Sequence, residues 1–186
     1  ILENLEKFGF CIRTIPGIND LISGKATVSE LKPIDVLDLL GREAVAPQNT
    51  LLSENITNKV VVVTGAGGSI GSELCRQIII QKPKTLILIG VSEFALYNIT
   101  EELNTLLLTN SFDLNYLSIL GSTSDEPKIR YLFEKYNPDT IYHAAAYKYV
   151  PLIEENIIEG IKNNVLGTLS LANLALKNNV ENFILI

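Results

Sequence analysis

From residue 58 onward, short unbroken apolar runs alternate with longer stretches in which apolar residues recur every three or four positions. Val60-Val-Val-Val63 and residues 85–89, 114–120 and 140–143 have strand length and are rich in β-branched or aromatic side chains. A run apolar at every position suits a strand buried on both faces and paired in parallel. Between these runs, Ile70, Leu74 and Ile78, then Leu96, Ile99, Leu103 and Leu107, then Ile129, Leu132 and Phe133 stand at helical spacing. Ser92 is placed to cap the second helix, running to about residue 108, and Asp125-Glu126-Pro127 opens the third, which ends before Asn137-Pro138. A helical stretch from about residue 151 to 177, broken near Gly160, precedes a last strand at Phe183, which stops at Ile186 with no turn after it. The alternation predicts an α/β fold: a doubly wound parallel sheet of Rossmann-like type with right-handed crossovers. The sheet is expected to be incomplete.

Residues 1–52 break this rhythm. Gly9, Pro16-Gly17, Ser23-Gly24 and Gly41 interrupt short apolar segments, of which 10–15 and 27–34 have strand character and 35–40 suits a helical turn. Such a segment is too short to bury its own core. It is expected to be the tail of an upstream domain plus a linker, with the boundary near Ala46-Pro-Gln-Asn49 and the Rossmann-like domain over residues 53–186.

Composition narrows the function. The chain has 186 residues, 47% hydrophobic and 19% charged, which fits a globular protein and not a disordered one. A net charge of −6 without clustered Lys and Arg argues against nucleic-acid binding. Two cysteines, Cys11 and Cys75, and one histidine build neither a disulfide framework nor a four-ligand zinc site, so no metal is expected. That cysteine usage suggests a reducing, cytoplasmic setting. No run approaches the roughly 18 apolar residues of a membrane span, and no signal peptide is visible. The absence of methionine marks the chain as processed or, by preference, a piece of a longer protein.

The chemistry concentrates after the valine run, in Thr64-Gly-Ala-Gly-Gly-Ser-Ile-Gly71. Gly65, Gly68 and Gly71 separate a strand from a helix at three-residue spacing. In such a loop one glycine makes the turn, the next lets a phosphate reach the backbone, and the last seats the helix on the strand. Gly67, Ser69 and Ile70 complete the cradle, whose helix N-terminus offers unpaired N–H groups to an anion. The expected ligand is NAD or NADP. Ligands of doubly wound sheets sit at the switch point, where the first and fourth strands are neighbours, so Ala144, Ala145, Ala146, Tyr147 and Lys148 are expected to face the loop. The generic fingerprint expects an acid about 20 residues past the glycines to hold the ribose hydroxyls; that count reaches Gly90, with Ser92 and Glu93 just after, so the acid is displaced or absent, and no arginine is nearby to favour a 2′-phosphate. NAD against NADP therefore stays open. Gly121, Ser122 and Thr123, after the third strand, are expected near the adenine. His143 reads as a structural histidine bonded to neighbouring backbone, and Tyr131 with Lys135 as an ordinary helix face despite a Tyr-x-x-x-Lys spacing.

Four motifs in order, residues 64–76, Ser92-Glu-Phe-Ala-Leu-Tyr97, His143-Ala-Ala-Ala-Tyr-Lys-Tyr-Val-Pro151 and Asn164-Val-Leu-Gly-Thr168, together with residues 12–18 and 39–43 ahead of them, resemble the CapD-type polysaccharide biosynthesis family of extended short-chain dehydrogenases. Tyr149 stands where histidine is usual there. The resemblance implies a nucleotide-sugar 4,6-dehydratase or epimerase acting on a UDP-N-acetylhexosamine in bacterial surface polysaccharide synthesis. In this reaction a nicotinamide removes hydride from C4, water leaves from C5 and C6, and hydride returns to C6. It further implies that the family's catalytic Ser/Thr, Asp-Lys pair and Tyr/Met-x-x-x-Lys lie beyond Ile186, leaving no catalytic residue and no complete UDP-sugar site here. It also implies a parent anchored in the inner membrane, with this part on the cytoplasmic side. Homo-oligomerisation stays open. The competing reading is a nicotinamide-binding redox or nucleotide sensor without catalysis.

Overall fold

The computed structural model describes residues 13–14, 32–33, 48–110 and 114–186. The chain divides into two compact units, 1–47 and 48–186. In the first, β1 (Arg13–Thr14) pairs antiparallel with β2 (Lys32–Pro33), inside the two segments expected to be strands. The helical turn expected over 35–40 and Cys11 lie outside the described residues.

The second unit begins with α1 (Asn49–Ile56), which runs across residue 52, where the linker was expected to end. Tertiary anchoring explains it: Ile56 is buried, Thr140 donates its hydroxyl to the Asn55 carbonyl at 2.8 Å, and Thr57 donates to Gln81 O at 2.9 Å. Strands and helices then alternate as β3 (Val60–Thr64), α2 (Ser69–Ile80), β4 (Thr85–Gly90), α3 (Glu93–Asn110), β5 (Asn115–Leu120), α4 (Glu126–Tyr136) and β6 (Thr140–His143). After β6 come α5 (Val150–Glu155), α6 (Ile157–Gly160), a π-helix (Ile161–Gly167), α7 (Thr168–Lys177) and β7 (Asn182–Leu185).

The five later strands form one parallel sheet in the order β5-β4-β3-β6-β7. The valine run shows why β3 sits at its centre. Val61 and Val63 pack on one face with Cys75, Ile78 and Ile79 of α2 and Leu96, Ile99 and Leu103 of α3. Val60 and Val62 pack on the other with Ile129, Leu132 and Phe133 of α4 and Leu171 and Leu174 of α7. Each such burial is worth about 1.5–3 kcal/mol, so an unbroken apolar strand is stabilised on both faces at once. Helix α4 starts as its sequence dictates, with Asp125 accepting from the Lys128 N–H at 3.3 Å, and stops on left-handed Asn137 just before Pro138.

The break expected near Gly160 occurs instead at Asn156, whose φ of −129° and ψ of 50° leave the helical region. Gly160 itself is helical, at φ −59° and ψ −47°; a Cβ there would lie 2.7 Å from Ile153 Cγ2, so the glycine serves a close approach between α5 and α6 and not a break. Among the described residues no helix is long and apolar enough to cross a membrane.

Candidate functional site

The reversal of strand order lies between β3 and β6, whose C-terminal ends run side by side through Thr64 and His143. The loop leaving β3 turns at once on Gly65, which has φ +68°; a Cβ there would also lie 2.5 Å from Ala144 O. The N–H of Gly68 closes the turn on Gly65 O at 2.9 Å, and Gly68 is the N-cap of α2 with no side-chain cap bond. Gly71 sits in the first turn of α2 against the loop backbone, with no room for a Cβ. The three glycines thus divide the work as their spacing predicts: turn, open approach and close packing. The first-turn N–H groups of α2 have no intrahelical carbonyl to bond. They and the helix dipole leave an anion-binding N-terminus at the mouth of the loop.

Above this loop lies an open cavity of about 260 Å³. Of the expected residues it brings together Gly65, Gly67, Gly68, Ser92, Ser122, Thr123 and Ala144–Ala146, together with Tyr147. Others do not line it. Thr64 is fully buried with its hydroxyl on the His143 ring, Gly71 lies beneath the loop, and Ser69 and Ile70 open α2 on its exposed side. Glu93 is exposed in the first turn of α3, and Lys148 lines a neighbouring cavity of about 390 Å³ with Tyr147, Tyr149 and Leu152. Tyr131 and Lys135 are in α4, and the Lys135 Nζ lies 5.5 Å from the Tyr131 ring; neither reaches either cavity.

His143 is structural, but its partners are hydroxyls and not the backbone groups expected. Its Nδ1 meets Thr64 Oγ1 at 2.6 Å and its Nε2 meets Thr168 Oγ1 at 2.8 Å, which ties β6 to β3 and to the start of α7. Burial holds its pKa below the usual 6.5, so the ring is neutral at physiological pH.

Asn163 also lines the cavity, and the motif reading passed over it. Its Nδ2 donates to Ala145 O at 2.8 Å, while Asn164 accepts from the Tyr147 N–H at 2.8 Å and donates to Tyr147 O at 3.0 Å. These two side chains fasten the 144–147 loop to the π-helix, an element frequent at functional sites. The pairing spans some 17 residues of sequence; the motif beginning at Asn164 included one of the two amides and stopped short of Asn163.

The residues present fit a dinucleotide. The lining combines a glycine cradle, an uncapped helix N-terminus and small residues where a ribose would rest. Gly65, where a Cβ would lie 2.5 Å from Ala144 O, and Gly67, where one would lie 2.7 Å from Ala95 Cβ, keep the floor of the cavity to bare backbone. Among the described residues there is no cluster of His, Cys, Asp and Glu able to hold a metal.

The sequence comparison decides the family. Residues 61–186 match the family model described as polysaccharide biosynthesis protein. The chain belongs to this polysaccharide biosynthesis family. The capsular polysaccharide biosynthesis protein CapD of Staphylococcus aureus is 40% identical over 185 residues, covering the whole of this chain and 30% of that protein. The UDP-N-acetylglucosamine 4,6-dehydratase (inverting) of Campylobacter jejuni is 26% identical over 124 residues, 66% of this chain and 34% of the relative. Among solved structures, the UDP-glucose 4-epimerase of Bifidobacterium longum in complex with NAD+ and UDP superposes with a TM-score of 0.57 at 24% identity, over 68% of this chain and 36% of the epimerase. This chain of the polysaccharide biosynthesis family therefore spans about a third of the length of these relatives, and its sheet is that part of a Rossmann-like fold.

Proposed function

We propose that this chain binds NAD or NADP as the cofactor-holding part of a nucleotide-sugar 4,6-dehydratase or epimerase that acts on a UDP-N-acetylhexosamine in bacterial surface polysaccharide synthesis. The observation that carries the reading is the cavity at the β3/β6 switch point, floored by Gly65, Gly67 and Gly68 and walled by Ala144–Ala146. A bound nicotinamide would supply reversible hydride transfer at the sugar carbon. The chain's own groups do the rest of the binding. The N-terminus of α2 and the loop amides receive the pyrophosphate, the alanines let the ribose approach β6, and the Asn163 and Asn164 amides hold that wall in place.

Proton transfer at the sugar needs an acid and a base with suitable pKa values. The cavity lining offers only hydroxyls, an amide and the phenol of Tyr147. That supports assigning the acid and base to residues outside these 186 and the chain alone to cofactor binding. In this reading the chain works on the cytoplasmic side of a longer membrane-anchored protein. Titration of NAD(H) and NADP(H) into the chain is expected to give saturable binding that Gly68→Val abolishes. Absence of binding by either dinucleotide to the folded chain would remove the reading. Incubation with UDP-N-acetylglucosamine and the dinucleotide is expected to yield no 4-keto sugar.

A further inference from the structure

The adenosine end of the cavity carries a combination that bears on which dinucleotide it accepts. In a doubly wound sheet, the residue ending the second strand faces the ribose hydroxyls, and a carboxylate there bonds them. The same carboxylate repels a phosphate on that oxygen. Here the second strand of the parallel sheet, β4, ends on Gly90, which lines the cavity. The glycine is not demanded by crowding. A Cβ on it would lie 3.6 Å from Leu96 Cδ1 and 3.8 Å from Gly67 N, which is ordinary contact, so the fold itself would admit an acid.

A cation stands close by. Gly90 pairs with Leu120 across β4 and β5, and its carbonyl accepts from Gly121 N at 2.8 Å. Lys128, from α4, donates its Nζ to the Leu120 carbonyl at 3.0 Å, and that Nζ lies 3.3 Å from where a Cβ on Gly121 would be. Gly121 lines the cavity too. The Lys128 side chain is 42% exposed and its nearest carboxylate, Asp125, is 4.0 Å away, so the ammonium has donors to spare for an incoming anion. None of the lining side chains is charged: Lys128, behind Gly121, and the exposed Glu93 in the first turn of α3 both stand outside the lining, and of the two it is Lys128 whose charged atom is placed against a lining residue.

We propose that the chain accepts a dinucleotide with a 2′-phosphate on its adenosine ribose about as readily as one with a free hydroxyl, because Gly90 withholds the discriminating carboxylate and Lys128 offers a counter-charge beside it. The proposal rests on the dinucleotide reading above and deepens it. The test is calorimetric titration of NAD+ and NADP+ into the wild-type chain, Gly90→Asp and Lys128→Gln. The wild-type dissociation constants are expected to agree within about tenfold, a difference of about 1.4 kcal/mol. Gly90→Asp is expected to weaken NADP+ by about tenfold or more relative to NAD+, and Lys128→Gln to weaken NADP+ several-fold while sparing NAD+. Wild-type discrimination beyond about a hundredfold in either direction would overturn the proposal while leaving dinucleotide binding intact. An unchanged preference in both variants would overturn the roles of Gly90 and Lys128. Lys128 is a surface side chain, so its variant keeps the test open if Gly90→Asp fails to fold. Failure of both dinucleotides to bind the folded wild type would instead sink the dinucleotide reading, and this proposal with it.

Discussion

Replacing Gly71 by alanine sets two physical effects against each other with opposite signs. Gly71 lies in the first turn of α2, and alanine in a helix is favoured over glycine by about 1 kcal/mol. An added Cβ, however, would stand 2.0 Å from Gly65 O, 2.7 Å from Gly65 C and 2.9 Å from Ala66 Cα. A carbon and an oxygen approach no closer than about 3.3 Å even in weak C–H···O contacts, so helix and loop must part by about 1 Å. The obstacle is backbone, and the Gly65 carbonyl is held in the turn by the Gly68 N–H at 2.9 Å. Overpacking costs about 1–3 kcal/mol or more, and contact with fixed backbone puts this case at the upper end. After the propensity gain, the net loss is about 2 kcal/mol. For a unit of this size that lowers Tm by about 4–8 °C. Thermal unfolding followed by far-UV circular dichroism reads it directly. A Tm equal to or above wild type would refute the packing argument, since propensity alone would raise it by about 2–4 °C. Gly68→Ala is the contrast. There a Cβ meets only Gly65 O at 3.2 Å, so stability is expected to hold while dinucleotide affinity falls.

Two further outcomes are expected. Because burial depresses the His143 pKa, the unfolded chain takes up that proton first, so stability present above the unfolded value is lost as pH falls through it toward the folded one. His143 is the only histidine, so Tm should decline between about pH 7.5 and 5.5 in the wild type and flatten in His143→Asn; equal slopes would place the titration elsewhere. Tyr131→Phe and Lys135→Gln are expected to leave dinucleotide affinity within about twofold of wild type, and a tenfold loss in either would bring α4 into the site.

Much of the fold was legible because its signals are local. Val60–Val63 announced a strand buried on both faces, the glycine spacing announced the turn into α2, and Asp125 with Asn137-Pro138 fixed the ends of α4. Where a residue's role depends on a distant neighbour, local reading faltered. Gly160 looked like a helix breaker, yet it makes room for Ile153, and the break fell on Asn156. The backbone partners expected for His143 proved to be Thr64 and Thr168, brought to its ring by strand pairing and by the π-helix. Asn163 gave no motif signal because its partner, Ala145 O, becomes adjacent only once the chain has folded back on β6.

The sequence by itself determined the parallel sheet, the phosphate-binding loop and its place at the end of β3, since apolar periodicity and glycine spacing act over a few residues. Only the tertiary structure decided which expected residues share the cavity, because that depends on where separate strand ends meet. It separated Thr64 and Lys148 from the cavity and added Asn163. It also turned Gly90, in sequence merely a missing acid, into a vacant position with a lysine alongside.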